Sequence, residues 1–395
     1  MKTGTIVKVL IALLVLAVGF GIVYAKYFQN PGEENASPMV FQPDSQVLSR
    51  AMGETNNLTR SRSILADNPI NAKGVPYVYD ADLCENSPAL YGCYVDHYKT
   101  LVKDYGVTTA SADIQKRSQE SSSILSQCHP LMHVIGRQAV GNYKTISEAF
   151  ANGDSFCWSG YYHGIMEGMI ANIGLENLSK ELNTICADIP GKDTYNFNYY
   201  NCVHGLGHGI MAILKDELFD SLKMCDSLTG FWEQESCYGG VYMQNIIDST
   251  NVADHKNGVK YLKPAEPLYP CTAVDTKYKG QCYLGQTSYA LQVTGFNYKK
   301  VFDLCATVEQ PYRDICNQSM GRDVANQAHH EKQKTKEMCE MATDPNDITN
   351  CVIGAVKEII SYYHSDKEAL EYCKILGGND KDICTTTAKS YYSNF

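Results

Sequence analysis

Three short motifs between residues 128 and 211 place metal-binding side chains four residues apart. They read CHPLMH, CWSGYYHGIMEG and CVHGLGHGIM. Residues four apart on a helix lie on one face, about 5 to 6 Å apart at Cβ, so both can bind one ion. The chain has 10 His among 395 residues, and chance alone gives roughly a quarter of one HxxxH pair. We therefore predict one metal site from three couples: His129 with His133, His163 with Glu167, and His204 with His208.

The predicted ligand set indicates which metals and reactions are suitable. Five imidazoles and one carboxylate are too many for a closed tetrahedral zinc site. They suit two transition-metal ions, each with about three protein ligands and open positions, with Glu167 as a bridge. Imidazole-rich sites accept Fe, Cu, Zn and Ni, and the affinity order favours Cu. We expect two Fe or Cu ions, with Zn as the alternative, and a small-molecule substrate or a redox partner protein.

Other chemistry and other roles stay open. Bound zinc could instead activate water, which would make the protein a hydrolase, but no separate base is evident in the motifs. Arg137 follows His133 by four residues and is a catalytic candidate as a charge behind the ligands. Tyr162 directly precedes His163 and is the second catalytic candidate, although packing explains it equally well. Hydrogen-bonded core histidines are the less favoured alternative to metal ligands.

The cysteines indicate which elements must position these residues. Sixteen cysteines without a CxxC motif predict a disulfide framework in an exported chain. From Cys225 they form pairs 11 or 12 residues apart, and the last four pairs recur every 34 residues, a period typical of stacked helix-turn-helix units. Spacing alone leaves other connectivities open. The favoured pairs are Cys84–Cys93, Cys128–Cys157, Cys186–Cys202, Cys225–Cys237, Cys271–Cys282, Cys305–Cys316, Cys339–Cys351 and Cys373–Cys384.

A glycine recurs three positions after the second cysteine of five units. Because Gly inside a helix costs about 1 kcal/mol relative to Ala, its repetition predicts close approach of neighbouring helices. His163 and His208 stand three residues further on, so stacking would align them on one face. Pro130 is expected in the first turn of its helix, and the second cysteine of each pair is expected to open a helix. The glycines are Gly160, Gly205, Gly240, Gly285 and Gly354.

The paired cysteines and the 34-residue period resemble those of Sel1-like and tetratricopeptide repeat proteins, from roughly Cys186 to Cys384. The resemblance implies an all-α, right-handed solenoid of helical hairpins stapled by disulfides, with a concave face for protein partners. The typical Trp-Leu-Gly and Tyr positions do not recur, so the resemblance concerns architecture only. The alternative function is therefore a stapled scaffold for protein–protein interaction, with a structural metal or none.

The ligand couples resemble the five-His, carboxylate-bridged set of hemerythrin-like di-iron proteins. By this resemblance His163 and Glu167 match the HxxxE couple, and His204 and His208 match the HxxxH couple. One histidine of the CHPLMH motif would stand for the ligand from the first helix. The couples lie far apart in the chain and no HxxxxD follows, so the resemblance implies convergent ligand chemistry rather than shared ancestry.

The N-terminus predicts export. The apolar run from Val9 to Ala25 lies between Lys8 and Lys26, and its length suits a short membrane span or a long signal sequence. We favour a retained transmembrane anchor at 1–26, with the basic end inside, followed by a linker at 27–77 and the Cys-rich helical repeat domain at 78–395. The domain would face the cell surface or a periplasm-like space, or be secreted if the anchor is cleaved. The net charge of −10 opposes binding to nucleic acid.

Two further segments carry histidines outside the motifs. His329 and His330 lie in the charged run HHEKQKTK and are expected on a solvated face. Asp248 to Pro270 interrupts the repeat period and contains His255, so we expect a loop beside the metal site, with a lid as one role.

Overall fold

The computed structural model describes residues 74–84, 87–153, 156–248, 259–363 and 365–393. Within these ranges the chain forms α-helices and two short 3-10 helices, and no β-strand. The predicted all-α fold class is therefore confirmed. The predicted anchor and residues 27–73 of the predicted linker lie outside the described residues. In the part of the chain that is described, no helix is both long and apolar enough to cross a membrane.

Long helices alternate with short ones along most of the chain, and each long helix packs against the next long helix. The long helices are α1 (Leu90–Glu120), α2 (Ser122–Ala139), α4 (Gly160–Ile173), α6 (Phe197–Ile213), α8 (Phe231–Asp248), α9 (Thr276–Val293), α11 (Tyr312–Gln327), α13 (Pro345–Tyr363) and α15 (Gly378–Ser393). The short ones are α3 (Ile146–Ala151), α5 (Leu175–Glu181), α7 (Leu218–Cys225), α10 (Tyr298–Cys305), α12 (Lys332–Cys339) and α14 (Lys367–Lys374), and the 3-10 helices are Val140–Asn142 and Lys192–Thr194.

Disulfide bonds join segments that are neighbours along the chain. All cysteines are paired, and the pairs are those that the spacing favours. The bonds Cys225–Cys237, Cys305–Cys316, Cys339–Cys351 and Cys373–Cys384 tie a short helix to the long helix after it. Cys84–Cys93, Cys186–Cys202 and Cys271–Cys282 tie a turn to α1, α6 and α9. Cys128–Cys157 ties α2 to the turn before α4, so it braces the two helices that carry the first two motifs.

The helix starts differ from the prediction, because from Cys202 onward the second cysteine of each pair lies four to six residues after the start of its helix. α13 begins at Pro345, well ahead of Cys351, because Pro at the first helical position loses no hydrogen bond and has the right φ. The polar linker thus forms the first turns of the helix rather than a break. Pro130 lies inside α2 instead of in its first turn. The helix starts earlier because the Ser121 side chain accepts a hydrogen bond from the Ile124 amide and caps it.

Reciprocal glycines bring three pairs of long helices into backbone contact. A Cβ on Gly136 of α2 would lie 2.2 Å from the Tyr161 carbonyl oxygen, and one on Gly164 of α4 would lie 2.2 Å from that of His133. Only glycine allows so close a crossing. The same reciprocal contact joins Gly207 with Gly240 between α6 and α8, and Gly321 with Gly354 between α11 and α13. Of the five repeated glycines, Gly240 and Gly354 take part in these crossings, and Gly160 faces the His129 carbonyl oxygen at 2.6 Å. Gly205 and Gly285 instead face the side chains of Met166 and Ile246.

One hydrogen bond joins two segments that are distant in sequence, the turn before α4 and helix α13. Trp158, in the turn before α4, donates a hydrogen bond from Nε1 to Glu358 Oε1 of α13 at 3.1 Å. The Trp158 ring also lies 6.3 Å from the His129 ring, centroid to centroid. Helix α13 thus lies beside the turn that borders the first histidine motif.

Candidate metal centre

The three histidine motifs fall on α2, α4 and α6, which pack against one another in that order. Each motif contributes two side chains, and all six predicted ligands are at most 8% exposed. Because Gly136 and Gly164 let α2 and α4 touch, the side chains next to these glycines face each other across the crossing. The structure therefore brings all six predicted ligands together in one buried cluster: His129, His133, His163, Glu167, His204 and His208.

His163 lies at the middle of the cluster. Its ring centroid is 4.4 Å from that of His208, 4.9 Å from that of His204 and 5.3 Å from that of His129. The ring of His133 is 5.1 Å from that of His208. Three subsets place their ligand atoms within 4.8 Å of one another and could hold a metal ion. They are His129 with His133 and His163, His163 with His204 and His208, and His133 with Glu167 and His208.

Hydrogen bonds at Nδ1 orient His129 and His133 so that their Nε2 atoms face each other. His129 donates from Nδ1 to the Cys157 carbonyl oxygen at 2.7 Å, and His133 donates from Nδ1 to Glu167 Oε1 at 2.6 Å. Both acceptors lack a hydrogen, so a neutral ring must carry its lone pair on Nε2. The two Nε2 atoms are 3.0 Å apart. Two lone pairs at that distance repel each other, and a metal cation bound by both would remove the repulsion.

Two further imidazole nitrogens of the cluster have no partner. His208 donates from Nδ1 to Gln244 Oε1 at 2.7 Å, while its Nε2 is buried without a hydrogen bond. His163 Nδ1 is also buried without one. Leaving a buried polar atom unpaired costs about 1 to 3 kcal/mol, so such atoms need an explanation such as an ion. The orphaned nitrogens fit a metal centre better than a core of satisfied histidines.

Glu167 is engaged on both of its carboxylate oxygens. Oε1 accepts from His133, and Oε2 forms an ion pair with Nη1 of Arg137. A carboxylate behind a metal-binding histidine fixes the tautomer and the orientation of the ring. Although Glu167 lies within reach of a shared ion, its two contacts favour an orienting role over the predicted bridging role. Arg137, a predicted catalytic residue, is 45% exposed at its side chain and holds this carboxylate from outside.

The environment favours the neutral form that binds metal in four of the imidazoles: His129, His163, His204 and His208. Burial, followed by the neighbouring His133, lowers the pKa of His129 to about 3. Burial lowers the pKa of His204 to about 4, and burial together with adjacent imidazoles lowers the pKa of His163 and His208 well below the ordinary value. Burial alone would raise the pKa of Glu167, but His133 and Arg137 together bring it below its usual range.

Some partners of the ligands had little or no signal in the sequence. The Cys157 carbonyl that holds His129 is a backbone group, which no motif can reveal. Gln244 directly follows Met243, the repeat position that corresponds to His208, so the register could have suggested it. The Tyr200 hydroxyl lies 3.2 Å from His204 Nδ1, which adds a phenol to the edge of the cluster.

Tyr162, the second predicted catalytic residue, lies among aromatic side chains. It is 4% exposed, and its ring centroid is 4.8 Å from that of Phe150 and 5.6 Å from that of Tyr161. This placement favours a packing role, and its catalytic role stays a prediction.

The histidines outside the motifs differ in their surroundings. His329 is exposed as expected, but the expectation was wrong for His330, whose side chain is 6% exposed. Its ring stacks on Tyr362 at a centroid distance of 4.0 Å. In the segment predicted as a loop or lid, Lys260 and Tyr261 contact Glu217. His255 lies outside the described residues, and the lid stays a prediction.

The chain was also compared with protein families, curated proteins and solved structures. No family model, curated protein or solved structure matches it.

Proposed function

We propose that this protein is an extracytoplasmic metalloprotein, tethered by its N-terminus to a membrane, whose histidine centre performs redox chemistry on a small molecule. The observation that carries the proposal is the burial of five imidazoles on three adjacent helices, with ligand nitrogens left unpaired. The disulfides support an oxidising compartment. The apolar run before Lys26 supports a tether or an export signal.

The donor set suits two ions of Cu or Fe. His129, His133 and His163 would hold one ion, and His204 and His208 would hold a second, with His163 between them. All cysteines are bonded to each other, so imidazole and not thiolate would be the donor, as in many Cu, Fe and Zn sites. Two or three protein ligands per ion leave positions open for a small substrate.

Redox chemistry is favoured over hydrolysis because the cluster lacks an available base. A hydrolytic zinc site needs a group that takes a proton from water. Both oxygens of Glu167, the carboxylate of the cluster, are engaged by His133 and Arg137. When bound, the metal would supply one-electron chemistry. The residues of the chain would keep the imidazoles neutral, orient the His133 ring and exclude bulk water.

The second candidate function is a scaffold that binds another surface protein. It is supported by the order of packing, in which each long helix contacts the next, and by a disulfide in each hairpin. From the same order we infer a solenoid of helical hairpins. In a scaffold the metal would serve structure only.

Elemental analysis of the full-length protein, purified without chelators, tests the first proposal against the second. We expect about two moles of Cu or Fe per mole of chain, and loss of this metal in a His163→Ala/His208→Ala double variant. The matched control is His329→Ala, because His329 is exposed. One zinc whose removal unfolds the domain would favour the scaffold, and no metal at all would contradict the proposal.

A second measurement separates redox from hydrolytic chemistry. We expect the absorption spectrum of the metal-loaded protein to change when a one-electron reductant is added without oxygen, and to return when air is admitted. A zinc centre would be silent in this experiment because Zn²⁺ has a filled d shell and no redox change.

A further inference from the structure

The crossing of α11 with α13 repeats the crossing of α2 with α4 but carries different side chains. Three residues before the first glycine stands His133 in α2 and Gln318 in α11. Three residues after the second glycine stands Glu167 in α4 and Lys357 in α13. In both crossings these two side chains are hydrogen-bonded, at 2.6 Å for His133 with Glu167 and 2.9 Å for Lys357 with Gln318. The C-terminal crossing thus repeats the reciprocal glycines and the hydrogen-bonded pair of the α2–α4 crossing, with an amide and a lysine in place of the imidazole and the carboxylate.

Gln318 is fixed by a chain of amide contacts. Its Nε2 donates to Asn350 Oδ1 at 3.0 Å, and Asn350 Nδ2 donates to Asp314 Oδ1 at 3.1 Å. The amide oxygen of Gln318 is therefore the atom that faces Lys357. The lysine is held in one position by a neutral acceptor rather than by a carboxylate.

Lys357 lacks a counter-ion among the residues that the structure describes. Its ammonium has three donors, and the one acceptor that it reaches is Gln318 Oε1. The nearby carboxylate of Glu358 accepts from Trp158 and lies 3.8 Å from His330 Nε2. A partly buried ammonium whose one hydrogen-bond partner is a neutral amide lacks the charge compensation that an ion pair would give, so the position is one that an anion would stabilise.

The surroundings of Lys357 support this interpretation. The side chain is only partly exposed, and burial lowers its pKa to about 8. Arg322 stands one residue after the α11 glycine, as Arg137 stands one residue after the α2 glycine. Arg322 is 28% exposed and is held by Asp323 at 2.8 Å, so it places a second, already paired cation at the same crossing.

We propose that the crossing of α11 with α13 is a binding site for a small oxyanion, a carboxylate or phosphate group, which Lys357 holds by charge. Lysine recognises such groups as a point charge, and Gln318 positions it. The next residue, Glu358, contacts Trp158 beside the His129 ring, so the anion site lies on the helix that borders the metal centre. The site needs no metal to bind its ligand.

Binding of two anions to the full-length protein tests the site. Isothermal titration with sodium acetate and with sodium phosphate, at an ionic strength held constant with chloride, is expected to show saturable binding of at least one of them. Lys357→Met should weaken that binding by about tenfold or more. Lys334→Met is the matched control, because Lys334 is exposed on the neighbouring α12, and it should bind as the wild type does.

The pattern of binding identifies the ligand class or overturns the proposal. Acetate alone would indicate a carboxylate ligand, phosphate alone a phosphorylated one, and both a general oxyanion site. The proposal would be overturned if neither acetate nor phosphate bound, or if the Lys357→Met variant bound the anion as tightly as the wild type does.

A labelling experiment gives a readout that does not depend on folding of the variant. Reductive methylation of the wild-type protein, followed by mass spectrometry, should modify Lys357 more slowly when the bound anion is present. The rate at Lys334 should be unchanged. Equal rates at Lys357 with and without the anion would contradict the assignment.

Discussion

At the scale of single residues, the centre depends on the charge of Glu167. This carboxylate joins His133 inside the cluster to Arg137 at its edge. It fixes the proton of His133 on Nδ1 and so leaves Nε2 for a metal. Without its charge, the ring of His133 would lose its orientation and Arg137 would lose its partner.

Replacement of Glu167 by Gln is therefore expected to weaken metal binding by about 10- to 100-fold. The amide of Gln keeps the shape of the side chain but has no charge to pair with Arg137. It also has one oxygen that accepts a hydrogen bond instead of two. Competition with a chelator of known affinity measures the change. Glu181→Gln, at an exposed position in α5, should leave the affinity unaltered, and unchanged affinity in Glu167→Gln would contradict the orienting role.

The buried imidazoles also predict how the metal-free protein responds to acid. Folding lowers the pKa of His129 from 6.5 to about 3 and that of His204 from 6.5 to about 4. Between these values the unfolded chain binds protons that the folded chain does not, so the free energy of unfolding falls as the pH decreases from about 6.5. Urea unfolding of the metal-free protein at pH 7.5, 6, 5 and 4 measures this slope.

The control for this slope is a His129→Asn/His204→Asn variant, which cannot take up these protons when it unfolds. Its stability should decrease less over the same pH range. A wild-type stability that stays constant or rises down to pH 5 would show that these imidazoles are not shielded from protons.

Single residues were predictable where the helix spacing determines their position. The cluster of six predicted ligands follows from couples four apart, because a helix must place such couples on one face. Their hydrogen-bond partners were less accessible, since the carbonyl of Cys157 has no side-chain signature and Gln244 lies on another helix. Arg137 was predicted as a charge behind the ligands, but its ion pair with Glu167 was not, because that pairing depends on how two helices cross.

At the scale of helices, the close crossing of α2 with α4 sets the distance between the first two motifs. Gly136 and Gly164 remove the side chains that would keep the two backbones apart. His133 and His163 are next to or within one turn of these glycines, so a wider crossing would separate their rings. The histidine cluster thus depends on residues that are not among the predicted ligands.

Gly164→Ala is expected to destabilise the protein by about 1 to 3 kcal/mol. The new Cβ would lie 2.2 Å from the backbone oxygen of His133, which a side-chain movement cannot relieve. Urea unfolding measures the loss, and the metal content should fall because the ligand helices are pushed apart. Gly377→Ala is the control, since a Cβ there meets nothing within 4 Å; equal effects of the two changes would contradict a close crossing.

The helices themselves were more predictable than their ends. The cysteine period predicts an all-α chain, and the repeated glycines predict close crossings. Helix starts depend on single capping contacts, such as the Ser121 side chain before α2 and Pro345 at the start of α13. The break at Gly106 inside α1, where φ is 85°, has no counterpart in the repeat pattern.

At the scale of the whole molecule, the disulfides differ in their distance from the histidine cluster. Some join the helices of one hairpin, and one joins the segments that carry the first two histidine motifs. Cys373–Cys384 joins α14 to α15 at the C-terminal end of the row. Cys128–Cys157 joins α2 to the turn before α4. The second bond also holds the carbonyl that accepts from His129, so the two bonds should differ in their effect on the centre.

Removing either bond by a Cys-to-Ala pair should lower the free energy of unfolding by about 2 to 4 kcal/mol. We expect the Cys128→Ala/Cys157→Ala variant to lose metal as well, while Cys373→Ala/Cys384→Ala keeps it. Denaturant unfolding and elemental analysis of both variants measure the two effects. The same metal content in both variants would show that the first bond does not brace the centre.

The large-scale organisation was only partly predictable. The period and the cysteine pairs predict that consecutive helical hairpins pack together, because each hairpin must bury its apolar face against the next. They do not predict that Glu358 of α13 reaches Trp158 near the N-terminal motif. A contact between helices so far apart in sequence depends on how every intervening helical hairpin is oriented. The sequence of a single repeat does not determine it.

The most direct test of the central claim is a crystal structure of the full-length protein, purified without chelators, with diffraction recorded on both sides of the metal absorption edge. The anomalous difference map is expected to show density enclosed by the imidazole nitrogens of α2, α4 and α6, next to His163. Metal density elsewhere, or histidine rings that face each other with no ion between them, would contradict the account.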